Sequence, residues 1–238
     1  MSWPYPRIVA HRGGGKLAPE NTLGAIRLGA SMGFKGVEFD VMLAGDGTPV
    51  VIHDETVDRT TDGRGEVSKM TYAELSRLII EKKEKILKFE EAGRLCRQLD
   101  VWANVEIKPA KGQERQTGVA VARMARALWQ GASVLPVLSS FSVEALEEAQ
   151  AAAPHLPRGC LVDKIPGDWR TTMTRLGCVS LHCNFKALNK ELAAEIHRAG
   201  YSILLWTVNE PDDARRLFAM GADCIVTDAL DRLGLDFH

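Results

Sequence analysis

Long apolar runs are missing from this chain: no stretch approaches the roughly 20 residues that a membrane span needs. The opening Met1-Ser2-Trp3-Pro4-Tyr5-Pro6 has neither a basic region nor an apolar one, so it does not read as a secretory signal. A surplus of charge is missing too. Thirty Lys and Arg stand against 31 Asp and Glu, a formal net charge of -1. No global basic field is present to attract nucleic acid or an anionic membrane, and any polyanion binding would have to be local. Cysteine is scarce: the five residues Cys96, Cys160, Cys178, Cys183 and Cys224 are odd in number and form no CxxC pair. They read as small buried hydrophobes in a reducing compartment. The expectation from these absences is a cytoplasmic enzyme with no nucleic-acid partner and no stable membrane association.

Domain punctuation is also lacking, since no linker, low-complexity tract or strong internal repeat interrupts the chain. What is present is a hydrophobic fraction of 45% in 238 residues, enough for one sizeable core. Short apolar, β-branched runs alternate with helical patterns. Strands are expected at Ile8–His11, Gly36–Val41, Val101–Lys108, Val134–Phe141, Arg158–Val162, Cys178–Cys183, Ser202–Val208 and Cys224–Thr227. Helices are expected between them, among others at Leu23–Met32, Gln113–Leu128, Val143–Ala151, Lys190–Ala199 and Asp212–Met220. Asn209 is expected to cap the last of these ahead of Pro211, Ser142 to cap the helix after Phe141, and Gly200 and Gly221 to stop helices. Eight strand–helix units in about 230 residues imply an α/β fold, a (βα)8 TIM barrel in a single domain covering residues 1–238.

One run breaks the alternation. Pro49–His53 also reads as a strand, yet it follows Val41 too closely for a parallel crossover. It is therefore expected to return antiparallel, as a β-hairpin excursion after strand two, with Asp46-Gly47 as a two-residue turn. That register sets Asp40 opposite His53.

A barrel carries its active site at the C-terminal ends of its strands. His11-Arg12 end strand one, Glu38 and Asp40 end strand two, Glu106 and Lys108 end strand three, and His53-Asp54 end the hairpin arm. Glu38 and Asp40 are two apart and so share a face. With Glu106 they outnumber the bases Arg12 and Lys108, and carboxylates with water describe a Mg²⁺ or Ca²⁺ site better than a zinc site. His11 and His53 suit proton transfer, with zinc ligation as the competing role. Arg12 and Lys108 suit a phosphate. Gly13-Gly14-Gly15 permits close backbone approach, but Leu17 after Lys16 rules out a Walker loop. His155 and His197 read as ordinary structural histidines, and His182 ends a strand without a motif around it.

Several of these residues fall in motifs that resemble one family. His11-Arg12-Gly13, Pro19-Glu20-Asn21-Thr22, Glu38-Phe39-Asp40-Val41 and His53-Asp54 with Arg59-Thr60-Thr61-Asp62-Gly63 are similar to those of the glycerophosphodiester phosphodiesterases. So are Val105-Glu106-Ile107-Lys108, Ser139-Ser140-Phe141, Trp206-Thr207-Val208-Asn209 and Thr227-Asp228. The match runs in order from about residue 7 to 231 and is nearest to the short bacterial cytosolic members. The resemblance implies hydrolysis of glycerophosphodiesters such as glycerophosphocholine or glycerophosphoethanolamine to sn-glycerol 3-phosphate and an alcohol. It implies one divalent cation, Mg²⁺ or Ca²⁺, on Glu38, Asp40 and Glu106, with His11 and His53 as the acid–base pair. It places Arg12 and Lys108 on phosphate, with Trp206 near the glycerol and Phe141 beside the substrate. Asn21 and Glu20 are expected to tie the first loop and cap its helix. The nucleophile could be the glycerol 2-hydroxyl or a water. Competing readings are a lysophospholipase D-like phosphodiesterase and a non-catalytic binding barrel.

Overall fold

A computed structural model describes residues 3–234 and 237. In chain order the strands are β1 (Ile8–Ala10), β2 (Gly36–Leu43), β3 (Pro49–Val51), β4 (Leu87–Lys88), β5 (Trp102–Ile107), β6 (Val137–Ser140), β7 (Arg158–Val162), β8 (Ser180–Asn184), β9 (Ser202–Trp206) and β10 (Cys224–Thr227). The helices are α1 (Leu23–Ser31), α2 (Tyr72–Leu75), α3 (Phe89–Gln98), α4 (Glu114–Leu128), α5 (Val143–Ala152), α6 (Trp169–Arg175), α7 (Lys190–Arg198) and α8 (Pro211–Met220). All of these strands except β3 and β4 pair in parallel, neighbour to neighbour, and Ala10 against Val37 joins β1 to β2. The result is the closed (βα)8 barrel that the alternation implies.

Period-two alternation decides what faces the barrel axis. On β2, Val37, Phe39 and Val41 pack outward among the helices, and so do Ala103, Val105 and Ile107 of β5. Phe39 and Ile107 are fully buried, each contributing about 1.5–3 kcal/mol by leaving water. The same alternation turns Glu38, Asp40, Asn104 and Glu106 inward.

Several ends differ from expectation for local reasons. The strand expected from Val134 begins at Val137, because Pro136 has no N–H to give a ladder. The strand expected from Cys178 begins at Ser180, and those expected to reach Lys108 and Val208 stop at Ile107 and Trp206. Ser142 caps α5 through the Ala145 amide at 3.1 Å. Gly221 ends α8 in the left-handed conformation, φ 116°. Asn209 does not cap α8: Glu210 occupies that position, and the Asn209 side-chain oxygen accepts from the Asp228 amide at 2.8 Å.

The hairpin exists, but its register is one residue from the expected one. Val41 pairs with Val51, Met42 with Val50 and Leu43 with Pro49. The loop holds three residues, 45–47, closed by the Ala44 amide on the Thr48 carbonyl, with Gly47 left-handed at φ 80°. Asp46 spends its carboxylate on the Thr48 and Tyr72 amides, which selects this longer loop over the tight two-residue turn. Ile52, not His53, therefore lies opposite Asp40, donating to its carbonyl at 3.1 Å. A one-residue shift exchanges the faces of a strand: Val50 and Ile52 join Met42, Val57, Val67, Leu75 and Ile86 in a separate small core above the barrel. The short strand β4 adds to β3 in antiparallel fashion and completes this flap.

Candidate active site

Three carboxylates form the floor of the mouth. Glu38 and Asp40 come from β2, and Glu106 comes from β5, where it pairs with Asp40 in register. One oxygen from each lies within 4.8 Å of the others, a spacing that can hold a metal ion. Glu38 and Asp40 are almost wholly buried. Burial, added to by the charge of Asp40, pushes the Glu38 carboxyl up to about 7. Burial and the charges of Asp40 and Glu38 push Glu106 well above the usual carboxylate range. The nearest cations on Asp40 are Arg12 Nε and Lys108 Nζ, each at 3.8 Å, too far for a hydrogen bond. The negative charge here is under-compensated by the protein, as a divalent cation site requires.

The loop after β1 carries His11 and Arg12 to the mouth. Arg12 and Asn21 are left-handed, at φ 50° and 60°, unusual for side chains of this size. Hydrogen bonds hold them there: the Arg12 amide donates to Glu38 Oε2 at 3.0 Å, and the Asn21 amide to the Arg12 carbonyl at 3.0 Å. Asn21 Nδ2 donates to Asp40 at 2.8 Å, so Asn21 orients a cradle carboxylate. Neither Asn21 nor Glu20 caps α1. Thr22 does, accepting from the Ala25 amide at 3.1 Å. The glycines serve packing: a Cβ on Gly13 would lie 2.9 Å from the Ile26 amide, and one on Gly15 would meet the Asp228 carbonyl.

Each histidine is held by an aspartate. His11 Nδ1 meets Asp228 Oδ1 at 2.6 Å, and His53 Nδ1 meets Asp54 Oδ1 at 2.6 Å. Both contacts fix the ring and leave Nε2 for the cavity, where His11 Nε2 lies 3.8 Å from Glu38. Burial alone would lower the His11 pKa, but the Asp228 hydrogen bond and the charges of Glu38 and Asp228 outweigh it and raise it. For His53 burial prevails over the charge of Asp40 and the Asp54 hydrogen bond, and the pKa falls. Arg59 then grips Asp54 from outside at 2.6 Å and forks onto Glu20 at 2.8 Å through each terminal nitrogen, while Arg12 reaches Glu20 at 2.7 Å. This chain links His53 of the flap to Arg12 of the barrel.

His11, Arg12, Glu38, Asp40, His53 and Glu106 line one cavity of about 160 Å³. Lys108, Phe141 and Trp206 complete its rim, so every residue singled out as a site candidate converges here. The Phe141 and Trp206 rings meet edge to face with centroids 5.6 Å apart. His182 does not belong. It is wholly buried within the barrel, bonded through Nε2 to Ser180 Oγ at 2.8 Å, and burial pushes its pKa down to about 3. The residues that sequence reasoning left without roles are Asp54, Arg59 and Asp228. Each stands inside a quoted motif, but a motif gives chain neighbours and not the partner across the cavity.

Comparison with known proteins agrees with this geometry. Residues 11–232 match the model of the Glycerophosphoryl diester phosphodiesterase family. The chain belongs to that family. A glycerophosphodiester phosphodiesterase of Caldanaerobacter subterraneus subsp. tengcongensis is 33% identical over 229 residues, 93% of each chain. An Oleispira antarctica phosphodiesterase, solved in complex with its product sn-glycerol-3-phosphate, superposes with a TM-score of 0.91 at 35% identity, covering 94% of both chains. The Thermotoga maritima glycerophosphodiester phosphodiesterase, at 24% identity and a TM-score of 0.76 over 96% of this chain and 97% of that one, shares the barrel. Within this phosphodiesterase family frame, no helix among the described residues is long and apolar enough to cross a membrane.

Proposed function

We propose that the chain hydrolyses glycerophosphodiesters to sn-glycerol 3-phosphate and an alcohol, at a site that holds one divalent cation, Mg²⁺ or Ca²⁺. The observation that carries this reading is the convergence of three carboxylates, two cations and two histidines on one cavity. Glu38, Asp40 and Glu106 would hold the ion. Their all-oxygen donor set and uncompensated charge fit a hard cation, and neither His11 nor His53 joins that group of mutually close ligand atoms, which favours proton transfer over ligation for both rings. When bound, the ion would supply a positive charge against the phosphate oxygens.

The chain's own residues account for the rest. Arg12 presents a guanidinium and Lys108 an ammonium to the phosphodiester, stabilising the charge that spreads over its oxygens during transfer. His11 and His53 approach from different elements, so one can take the proton of the incoming hydroxyl while the other gives a proton to the departing oxygen. Asp228 and Asp54 hold the two rings in the tautomer this needs. Trp206 and Phe141 offer an apolar edge to the carbons of the glycerol. The retention of both histidines and all three carboxylates supports catalysis over a binding-only barrel.

The test is direct. The enzyme is incubated with glycerophosphoethanolamine and lysophosphatidylcholine, with divalent cation or with chelator, and glycerol 3-phosphate and free alcohol are assayed. Cation-dependent release of glycerol 3-phosphate from the first substrate is expected, and His11→Ala and His53→Ala should each lose activity by 100-fold or more while the fold stays intact. Near wild-type rates in both variants would discard the catalytic assignment.

A further inference from the structure

A second hollow opens beside the catalytic one. It measures about 410 Å³, within the range of small-molecule pockets, and it shares only His11 and Arg12 with the smaller cavity. One wall is the loop after β1, with Lys16, Pro19 and Glu20; the other is the flap segment carrying Arg59, Thr60 and Glu81. Lys16 is pinned, since its amide donates to the Asp228 carbonyl at 3.0 Å and the Gly15 amide to the His11 carbonyl at 2.8 Å. The Arg59–Glu20 fork ties the two walls together.

We propose that this hollow receives the alcohol half of the diester, and that it selects an uncharged polyhydroxy alcohol over a quaternary ammonium. The inference rests on the phosphodiesterase reading above. The glycerol phosphate half is assigned to the smaller cavity, which holds the carboxylate cradle, Lys108 and the Phe141–Trp206 edge. Of the two histidines only His11 borders both hollows, so the bridging oxygen of the alcohol lies at His11. As the P–O bond to that oxygen breaks, the bonding pair stays on oxygen and the proton comes from the His11 ring. The hydroxyl that takes its place on phosphorus gives up its proton at His53.

The lining decides the chemistry of the alcohol. Its fixed cations Arg12, Lys16 and Arg59 match in number its anions Glu20, Glu81 and Asp228. Glu20 is consumed by two arginines and Asp228 by His11. Among the described residues, Lys16 and Glu81 have no side-chain ion-pair partner, which leaves one free donor group and one free acceptor. Apart from the His11 imidazole, already bonded to Asp228, none of the described lining residues carries an aromatic ring, so a trimethylammonium finds no Trp, Tyr or Phe face and no net negative field. Hydroxyl groups, which both donate and accept, match Lys16 and Glu81 together.

The experiment compares kcat/KM for glycerophosphoglycerol, glycerophosphoinositol and glycerophosphocholine in the wild type, Lys16→Ala and Glu81→Ala, with the inhibition constant of sn-glycerol 3-phosphate measured alongside. The polyol esters are expected to exceed the choline ester at least tenfold. Each variant should cut that ratio at least threefold, through a higher KM for the polyol esters, without moving the inhibition constant of a product that lacks the alcohol. A choline ester that is equal or better, or variants that scale all three substrates alike, overturns the inference and leaves the phosphodiesterase reading standing. No turnover of any of the three sinks both.

Discussion

Arg59 and Glu20, 39 residues apart in sequence, meet in a two-point fork with both contacts at 2.8 Å. The pairing fastens the flap to the barrel, and because Arg59 also holds Asp54 it controls where His53 stands. Arg59→Lys keeps the charge but not the fork. We expect a fall of about 10–100-fold in kcat, the usual loss when an orienting contact behind a working side chain is removed, with less effect on KM. Steady-state kinetics check this; an unchanged kcat would show that the flap needs no such clamp.

Asp228 plays the same part for His11 from the opposite side. Asp228→Asn preserves shape but lets the amide donate, which favours the wrong ring tautomer. The serine-protease template, where this swap costs roughly 10⁴-fold, sets the upper scale, and we expect a loss on the order of 10²–10⁴-fold in kcat. Circular dichroism should stay that of the wild type.

Removing divalent ions leaves the acidic cradle to repel itself. The ion-free protein should lose stability as pH rises from the ordinary carboxyl range toward 7, because the folded Glu38, with its pKa raised to about 7, retains a proton the unfolded chain has already shed. Adding Mg²⁺ or Ca²⁺ at 100 times its Kd should restore about 2.7 kcal/mol, a rise of roughly 5–10 °C in Tm for a chain of this size. Glu106→Gln should stabilise the ion-free form and shrink the shift. A calorimetric scan that is blind to chelator and cation would contradict the metal assignment.

His182 predicts an acid-side weakness. Its folded pKa near 3 lies below the ordinary 6.5, so the unfolded chain binds a proton that the folded one refuses. Stability from this residue is complete above pH 6.5 and falls as pH drops toward 3, by up to about 1.4 kcal/mol per pH unit. His182→Leu should flatten the pH dependence of urea unfolding between pH 6 and 4 by up to one proton. Identical slopes would mean that the imidazole is protonated in place.

The carboxylate floor was legible because Glu38-Phe39-Asp40 and Glu106-Ile107-Lys108 obey the two-residue period of buried strands, and the period alone turns the acids inward. The barrel was legible for the same reason. The hairpin register was not: Asp46-Gly47 suits a two-residue turn, and only the Tyr72 amide, 26 residues away, makes Asp46 part of a longer loop. Asn209 looked like a helix cap because caps are local, whereas its partner is the Asp228 amide on the neighbouring strand end. The flap's small core was hidden in a charged stretch whose apolar residues, Val57, Val67, Leu75 and Ile86, follow no single period. His182 had the position of a pocket residue but not its company; the cavity turns away from it toward the cradle.

Every cysteine is buried, and burial pushes the thiols of Cys96, Cys178 and Cys183 up to about 12 and that of Cys160 to about 11. The folded enzyme is therefore deaf to alkylating reagents, which attack the thiolate. Labelling becomes a clock for breathing motions. Cys96 marks the half of the barrel that bears the acids, Cys178 and Cys183 mark the opposite half, and Cys224 packs with Val9, Trp102 and Leu204 from strands of both. Comparing their labelling rates tells which side of the ring comes apart first.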